Sequence, residues 1–516
     1  MATPAARPAL SHWTSAHSTH SAPQTHVAHE AASPRQKVLF VTSEIAGLAK
    51  TGGLGDVARA LPTALSRRHD VRVLMPAYAE VLRRAQPVRV LGELPGQAHI
   101  PPCRVGRTTL EDGLQVYLLL CPELYQRSGN AYLDEHGRDW CDNHIRFGRL
   151  CLAAAQLTAG PNWLGWQPDL LHLNDWPSAL APCFLSQPAP VLLTIHNLGY
   201  QGLFHAASGV DLGLDVEQPA YQDLLHHQSL CFLKAGIVHA DRLSTVSQTY
   251  AEEIVRPGIG CGLEEILAVR LHEGRLTGIT NGIDPHWDAA TDPALPGNFH
   301  PGDWRGKALS RRYASEKYDV RADGPLFVVI SRLAEQKGID LTEQVAGHIV
   351  AHGGNLVVMG QGEPALEQRM CQLQQRHPAQ IAVHIGFDEI EARRLFAGSD
   401  FLLMPSRYEP CGLSQMYAQR FASLPIARRT GGLVDTITDG ATGFLFDDAA
   451  AGGYQAAIDR AFSVYQCPRR LRQMRRQAMR APRSWHHAAE PYHRLYQQLL
   501  HDYGALPVPA ARQAQA

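Results

Sequence analysis

Short runs of consecutive apolar residues recur along the chain. Each is closed by glycine or polar residues and followed by a stretch of helical period. The first run is Lys37-Val38-Leu39-Phe40-Val41, and it leads through a glycine-rich turn into the helix-like Val57–Leu65. Val71–Met75 is a second short strand, and residues 107–120 read as a β-hairpin turning at Glu111-Asp112-Gly113. Residues 143–158 carry a helical period. Pro168–Leu173 and Val191–Ile195 are two further apolar runs, ending at Asn174-Asp175-Trp176 and at His196-Asn197. Arg242–Ser247 leads into a helix at 248–255. An unbroken apolar run suits a strand buried on both faces of a parallel sheet.

A second series starts near Pro325. Strands are expected at 326–330, 356–359, 381–385, 401–404 and 425–427, and helices at 339–352, 364–376, 388–398, from 412 and from 431. The irregular Pro/Gly/Asp-rich stretch 284–303 separates the two series. The alternation predicts an α/β protein of two doubly wound, Rossmann-like domains facing a cleft. Helices near 467–481 and 485–503 close the chain. His486, Ala489, Tyr492, His493 and Tyr496 fall on one face of the last helix and read as packing.

This gives an N-terminal domain over 36–283, a linker leading into the next domain over 284–324, a C-terminal domain over 325–482, a C-terminal helix over 483–505 and a frayed tail over 506–516. Residues 1–35 differ from the rest. They are rich in Ala, Ser, Thr, Pro and His, have no apolar period, and read as a disordered, solvated extension.

Composition narrows the function. The 516 residues exceed what one core supports. A net charge of −1 gives no footprint for nucleic acid or an anionic membrane. No apolar run approaches the ~20 residues of a membrane span. The ten cysteines are scattered without C-x-x-C or Cys/His ligand spacing, so a reducing, cytoplasmic setting is expected and a structural zinc site is not.

The candidate chemistry lies where strands end. Lys50-Thr51-Gly52-Gly53-Leu54-Gly55-Asp56-Val57 hands a strand to a helix. Glycine admits close backbone approach and a helix start attracts anions, although an ordinary turn carries the same residues. After strand 326–330, Arg332 and Lys337 stand five apart. Together they suit a diphosphate, arginine bidentately and lysine as a point charge. Glu409 precedes a helix start and is expected either to favour the helix dipole or to aim a carboxylate into the cleft. Cys411 reads as a packing thiol at the rim, open to modification. Arg428-Arg429-Thr430-Gly431-Gly432-Leu433 offers another anion seat, and Asp175 and His196 each end a strand.

Taken together these stretches resemble the bacterial glycogen synthases and plant starch synthases. Lys50–Val57 is similar to their K-T-G-G-L-x-D-V, His172–Trp176 to H-x-x-D-W, and Thr194–Gly202 to T-x-H-N-x-x-Y-Q-G. Ser244–Ser247, Asn281–Asp284, Ser331–Leu333 with Gln336–Gly338, Glu409–Leu413 and Arg428–Leu433 follow in family order. Any one motif is weak; the ordered set is specific. The resemblance implies the GT-B fold and transfer of glucose from ADP-glucose to the non-reducing 4-hydroxyl of an α-1,4-glucan such as glycogen, with retention. It implies no metal and no cofactor.

By resemblance, Lys50, Gly52 and Gly53 meet the donor from the first domain, and Arg332 and Lys337 neutralise its diphosphate from the second. Asp175, His196 and Asn197 line the glucosyl pocket, with Asn281 at its edge. Glu409 stands beside the donor sugar, and Gly431, Gly432 and Leu433 present backbone to it. Related transferases carry a second glutamate eight residues after Glu409; here Tyr417 stands there. Two alternatives remain at this stage: a UDP-glucose-dependent transferase of the same fold, and a non-catalytic glucan-binding paralogue. The second predicts lost cleft charges, yet Lys50, Arg332, Lys337 and Glu409 are all present.

Overall fold

The apolar runs form strands where their pattern places them. In the computed structural model, which describes residues 35–448 and 450–505, Lys37–Val41, Val191–Ile195, Leu326–Ile330 and Phe401–Met404 are strands, nearly all of their residues buried. The extension before Arg35 and the tail after Ala505 lie outside the described residues.

The first lobe is built on a nine-stranded sheet. Its order is Leu276–Gly278, Arg242–Thr245, Val191–Ile195, Leu170–Asn174, Lys37–Val41, Asp70–Pro76, Gln115–Leu120, Cys103–Thr109 and Arg89–Leu94. Pairing is parallel up to Gln115–Leu120 and antiparallel beyond. The second lobe is a six-stranded, wholly parallel sheet in the order Ile381–Ile385, Asn355–Gly360, Leu326–Ile330, Phe401–Met404, Leu424–Arg428, Phe444–Phe446. In both sheets the strand order reverses near the middle: beside Lys37–Val41 in the first and beside Leu326–Ile330 in the second. Loops that leave the strands on either side of such a reversal open a crevice for ligands. The Lys50 and Asp175 loops border the first crevice; the Arg332 and Glu409 loops border the second.

Some elements are absent from the sequence reading. A small antiparallel sheet joins Leu203–His205, Ser229–Cys231 and Leu225–His226. The helix Arg305–Tyr318, inside the expected linker, packs on Glu389–Gly398 and so extends the second lobe upstream.

The chain crosses between lobes at two adjacent points. Ile283 N–H donates to the Arg483 carbonyl at 2.7 Å, so the outgoing and returning segments are paired. The final helix, Trp485–Ala505, then packs on Gly53–Leu65 of the first lobe. Tyr492 and Tyr496 are fully buried there, as the face pattern predicts, whereas His486 is exposed beside Arg67. The helix is also tied by a polar thread. Tyr496 OH lies 2.7 Å from His172 Nδ1, His172 Nε2 lies 2.7 Å from Thr194 Oγ1, and Thr194 lies 2.7 Å from Ser244 Oγ. His172 of the H-x-x-D-W motif is therefore an internal strut, and burial lowers its pKa to about 3.

Candidate functional site

In the first lobe, strand Leu170–Asn174 ends in a sharp bend. Asp175 has φ 55°, a left-handed value uncommon for a non-glycine residue. Its Oδ1 accepts the backbone N–H of His196 at 2.7 Å and of Asn197 at 3.3 Å, which ties the ends of two neighbouring strands together. Burial raises the Asp175 pKa to about 7 against the pull of those amides.

His196 ends the next strand, with Nε2 3.0 Å from Asn174 Oδ1. The Asn174 amide nitrogen donates to the carbonyls of Val41 and His172, so its oxygen faces His196 as an acceptor. The proton therefore sits on His196 Nε2. Burial lowers the ring's pKa to about 3, so it is neutral and its Nδ1 is left as an acceptor. Asn197 Oδ1 accepts Gly199 N–H at 3.0 Å.

The Lys50 loop has a partner that sequence reasoning missed. Glu44, just past the first strand, is buried; its Oε2 accepts Thr51 N–H at 2.5 Å and Gly52 N–H at 2.9 Å, and its Oε1 accepts from Tyr132 OH at 2.6 Å. The amide of Gly52 is thus already satisfied by a carboxylate. Its position directly after a buried strand is the only sequence signal for Glu44. Lys50 Nζ meets Asp56 at 2.7 Å and stays well exposed. Gly53 faces Leu413 of the second lobe, whose Cδ1 is 3.8 Å from where a Cβ would stand.

In the second lobe, Lys337 Nζ lies 2.9 and 2.7 Å from Glu409 Oε1 and Oε2. Ser406 Oγ donates to the same carboxylate at 2.9 Å. The dipole role considered for Glu409 does not hold: the next helix begins at Ser414, and the carboxylate is engaged by lysine. Gln336 donates to the Tyr408 carbonyl and accepts Arg407 N–H on its own carbonyl, joining the two loops. Gly338 has φ 68°, and a Cβ there would stand 2.2 Å from the Pro405 carbonyl, so only glycine fits.

Arg332 and Lys337 do not converge on one point here. Arg332 reaches across the cleft to Tyr200 OH at 3.2 Å and back to Gln336 at 3.1 Å.

The Arg428–Leu433 segment corrects an expectation. Its amides are not free to seat an anion. Gly431 N–H donates to both carboxylate oxygens of Glu253 at 3.0 Å, Gly432 N–H to the Glu409 carbonyl at 3.1 Å, and Leu433 N–H to the Thr430 carbonyl at 3.1 Å. Arg428 is spent on the carbonyls of Ser406 and Arg407. The glycines answer to packing: at Gly431, φ 44°, a Cβ would stand 2.0 Å from the Glu409 carbonyl.

Cys411 packs as expected but is not open to modification. It is buried, burial pushes its thiol up to about 12, and the Asn281 backbone amide supports it. Asn281 is buried too, and its Oδ1 has no hydrogen-bond partner. Tyr417 stacks on Trp287 with ring centroids 3.7 Å apart, a packing role in place of a carboxylate.

The lobes meet around these loops. Ser247 donates to the Pro410 carbonyl at 2.6 Å, Thr249 Oγ1 to Asp435 at 2.5 Å, and Tyr408 OH lies 3.1 Å from the Cβ position of Gly199. Glu253, missed in the sequence, acts in these cross-lobe contacts beside Tyr200, Tyr408 and Ser247, which lie in or next to the motif stretches but carry no role there. Asp175, His196, Asn197 and Asn281 on one side are thereby set against Arg332, Lys337 and Glu409 on the other. Cationic side chains, carboxylates and free acceptor atoms thus border one interlobe cleft.

Comparison with known proteins gives this arrangement its class. The family profile described as the starch synthase catalytic domain matches residues 37–269, and that of the glycosyl transferases group 1 matches residues 310–479. The structure superposes on the catalytic domain of starch synthase IV from Arabidopsis thaliana, solved with ADP and acarbose, with TM-score 0.78, 29% identity and coverage of 90% of this chain and 100% of that one. Sucrose-phosphate synthase from Thermosynechococcus elongatus shares the fold, with TM-score 0.56, 17% identity and coverage of 91% and 100%. The fold is that of a GT-B glycosyltransferase.

The glycogen synthase of Pseudomonas aeruginosa is 54% identical over 90% of this chain and 92% of its own length. That of Pseudomonas fluorescens strain Pf0-1 is 53% identical over 90% and 96%. The chain belongs to the glycogen synthase family, the enzymes that lengthen α-1,4-glucans by glucosyl transfer. Among the described residues no helix is long and apolar enough to cross a membrane.

Proposed function

We propose that the interlobe site binds ADP-glucose and passes its glucosyl group, with retention, to the 4-hydroxyl at the non-reducing end of an α-1,4-glucan. The observation that carries this reading is the opposition of Lys337–Glu409 and Arg332 to Asp175 and His196 across the cleft. Breaking a glycosyl–phosphate bond builds negative charge on the diphosphate and positive charge at the anomeric carbon, and preorganised groups of opposite sign lower that barrier.

Lys50 meets the phosphates from the first lobe; Arg332 and Lys337 meet them from the second. To do so Lys50 leaves Asp56, Arg332 leaves Tyr200 and Lys337 turns part of its charge from Glu409. Asp175, neutral below about pH 7 and ionised above it, lines the glucosyl pocket with Asn197. Neutral His196 accepts a sugar hydroxyl at Nδ1, and the unpartnered Asn281 Oδ1 accepts another. Withdrawal of Glu253 frees the Gly431 amide for the phosphates, while Gly432 and Leu433 keep their amides on the Glu409 and Thr430 carbonyls. The cleft supplies its charge through lysine and arginine, so the reaction needs no metal or cofactor in this scheme.

Retention by double displacement needs a carboxylate nucleophile beneath the anomeric carbon. Asp175 is held by two backbone amides and Glu409 by Lys337, so front-face attack is favoured, with a leaving phosphate oxygen taking the acceptor proton. A reducing cytoplasm suits the ten unpaired cysteines. Nucleotide release from ADP-glucose and from UDP-glucose, measured in parallel with glycogen as acceptor, tests the donor. ADP-glucose is expected to turn over faster; release from UDP-glucose alone overturns the assignment, and release from neither marks a non-catalytic paralogue.

A further inference from the structure

The helices Ile339–Ala351 and Ala451–Tyr465 pack against each other on the second lobe, away from the residues of the cleft. His348 and, at the helix cap, His352 stand four residues apart on the first, and Asp459 stands opposite on the second. Side chains at this helical spacing share one face. A ligand atom from each of the three lies within 4.8 Å of the others, and among the described residues this is the one such group of His, Cys, Asp and Glu. The sequence reading looked for Cys/His spacing and passed over His348-x-x-x-His352.

The hydrogen bonds define which atoms are available. His352 Nδ1 lies 2.9 Å from the His348 carbonyl. A carbonyl only accepts, so Nδ1 carries the proton and His352 Nε2 keeps its lone pair. A backbone carbonyl orienting the far nitrogen is the usual support behind a metal-bound histidine. His348 Nε2 lies 2.6 Å from Asp459 Oδ1, which already brings the imidazole and the carboxylate together. The rings of His348 and His352 have centroids 4.2 Å apart.

We propose that His348, His352 and Asp459 bind a divalent transition ion of the zinc type, clamping the two helices together. Two imidazoles and one carboxylate are ligands zinc accepts, with water completing a four-coordinate site. Metal–ligand bonds of ~2.1 Å put ligand atoms ~3.4 Å apart in a tetrahedron. The exposed side chains of His352 and Asp459 close the remaining gap by torsion. The ion takes the His348 Nε2 lone pair once the proton shared with Asp459 has passed to Nδ1 or to solvent. Gly338, which caps the first helix, directly follows Lys337, so the clamp braces the helix behind the donor loop.

Full-length protein, stripped with a chelator, is titrated with Co2+ and followed by visible absorption. The chain carries further histidines in its N-terminal extension, so the reading is a difference between variants. Wild type is expected to bind one more Co2+ per chain than His352→Ala and Asp459→Ala, with a four-coordinate absorption band that both variants lose. A second measurement needs no variant: diethyl pyrocarbonate labelling of wild type with and without Zn2+, mapped by mass spectrometry. Zn2+ is expected to cut labelling of His348 and His352 about tenfold while leaving exposed His384 unchanged. Equal Co2+ uptake in all three proteins, or labelling of His348 and His352 that Zn2+ does not alter, overturns the site.

Discussion

Lys337 and Glu409 form a closed ion pair at the heart of the second lobe, Nζ 2.7 and 2.9 Å from the two carboxylate oxygens, with the carboxylate side chain 6% exposed. Neither charge is stable there without the other, because an unpaired buried charge is costly. The pair therefore holds the lysine in place beside the cleft.

Glu409→Ala should lose kcat by ~10²-fold or more, the scale of removing one preorganised electrostatic group, with little change in donor KM. Steady-state kinetics with varied ADP-glucose checks it. A variant with near-normal kcat removes Glu409 from the reaction.

Asp175 gives a pH signature. Its pKa is raised to about 7, so the carboxyl is protonated below that value and ionised above it. If the ionised form steadies the glucosyl cation, kcat/KM should fall as pH drops below 7, approaching tenfold per unit. Asp175→Asn keeps an oxygen for the His196 and Asn197 amides, so it should fold, run slowly and lose that limb of the profile. An unchanged limb in the Asp175→Asn variant assigns the titration elsewhere.

Stability should also depend on pH through the buried histidines. His172 titrates at about 3 and His69 at about 4 in the folded chain, both lowered first by burial from an ordinary 6.5. The unfolded chain takes up protons at 6.5 that the folded chain refuses. Their contribution is whole above pH 6.5 and is lost progressively as pH falls towards 4 and 3, at up to ~1.4 kcal/mol per pH unit for each ring. Asp175 opposes this, since its raised pKa favours the folded state at lower pH. Urea unfolding at pH 7.0 and 5.5 should show less decline in His172→Asn, which starts less stable but no longer titrates there. Equal declines contradict the strut.

Glu253 seals the Gly431 amide from across the cleft. Glu253→Ala should lose ~1.5–3 kcal/mol, the range for a hydrogen bond to a charged group, and yet bind ADP more tightly, because the amide is released. Calorimetric titration with ADP and thermal unfolding read the two effects separately. Weaker ADP binding makes Glu253 part of the donor site.

How far the sequence reaches depends on how an element is stabilised. Leu326–Ile330 and Val191–Ile195 are legible because sheets covered on both faces demand unbroken apolar runs. Arg305–Tyr318 is not, because its buried positions are Gly306, Lys307, Ser310, Ala314 and Ser315. Lys307 is held inside by the carbonyls of Ser399 and Phe421, a solution with no apolar period. The motif residues could be named in advance: Asp175 and His196 do stand at strand ends, and Lys337 lies in the loop after Leu326–Ile330. Their partners could not: Glu44 and Glu253 belong to no motif in the sequence and act only through the fold. The same holds at Gly431: the seat for an anion is legible, but not that a carboxylate distant in sequence fills it.

The central claim is that donor phosphates are gripped from both lobes, Lys50 on one side and Arg332 with Lys337 on the other. The most direct measurement is the kinetics of Lys50→Gln with ADP-glucose and glycogen varied in turn. Losing one charged contact of ~1.5–3 kcal/mol corresponds to about tenfold or more in KM for ADP-glucose, while KM for glycogen should stay within about twofold, less than ~0.5 kcal/mol. Equal loss towards both substrates, or no loss towards either, contradicts the two-sided grip and returns the glycine-rich loop to a purely structural part.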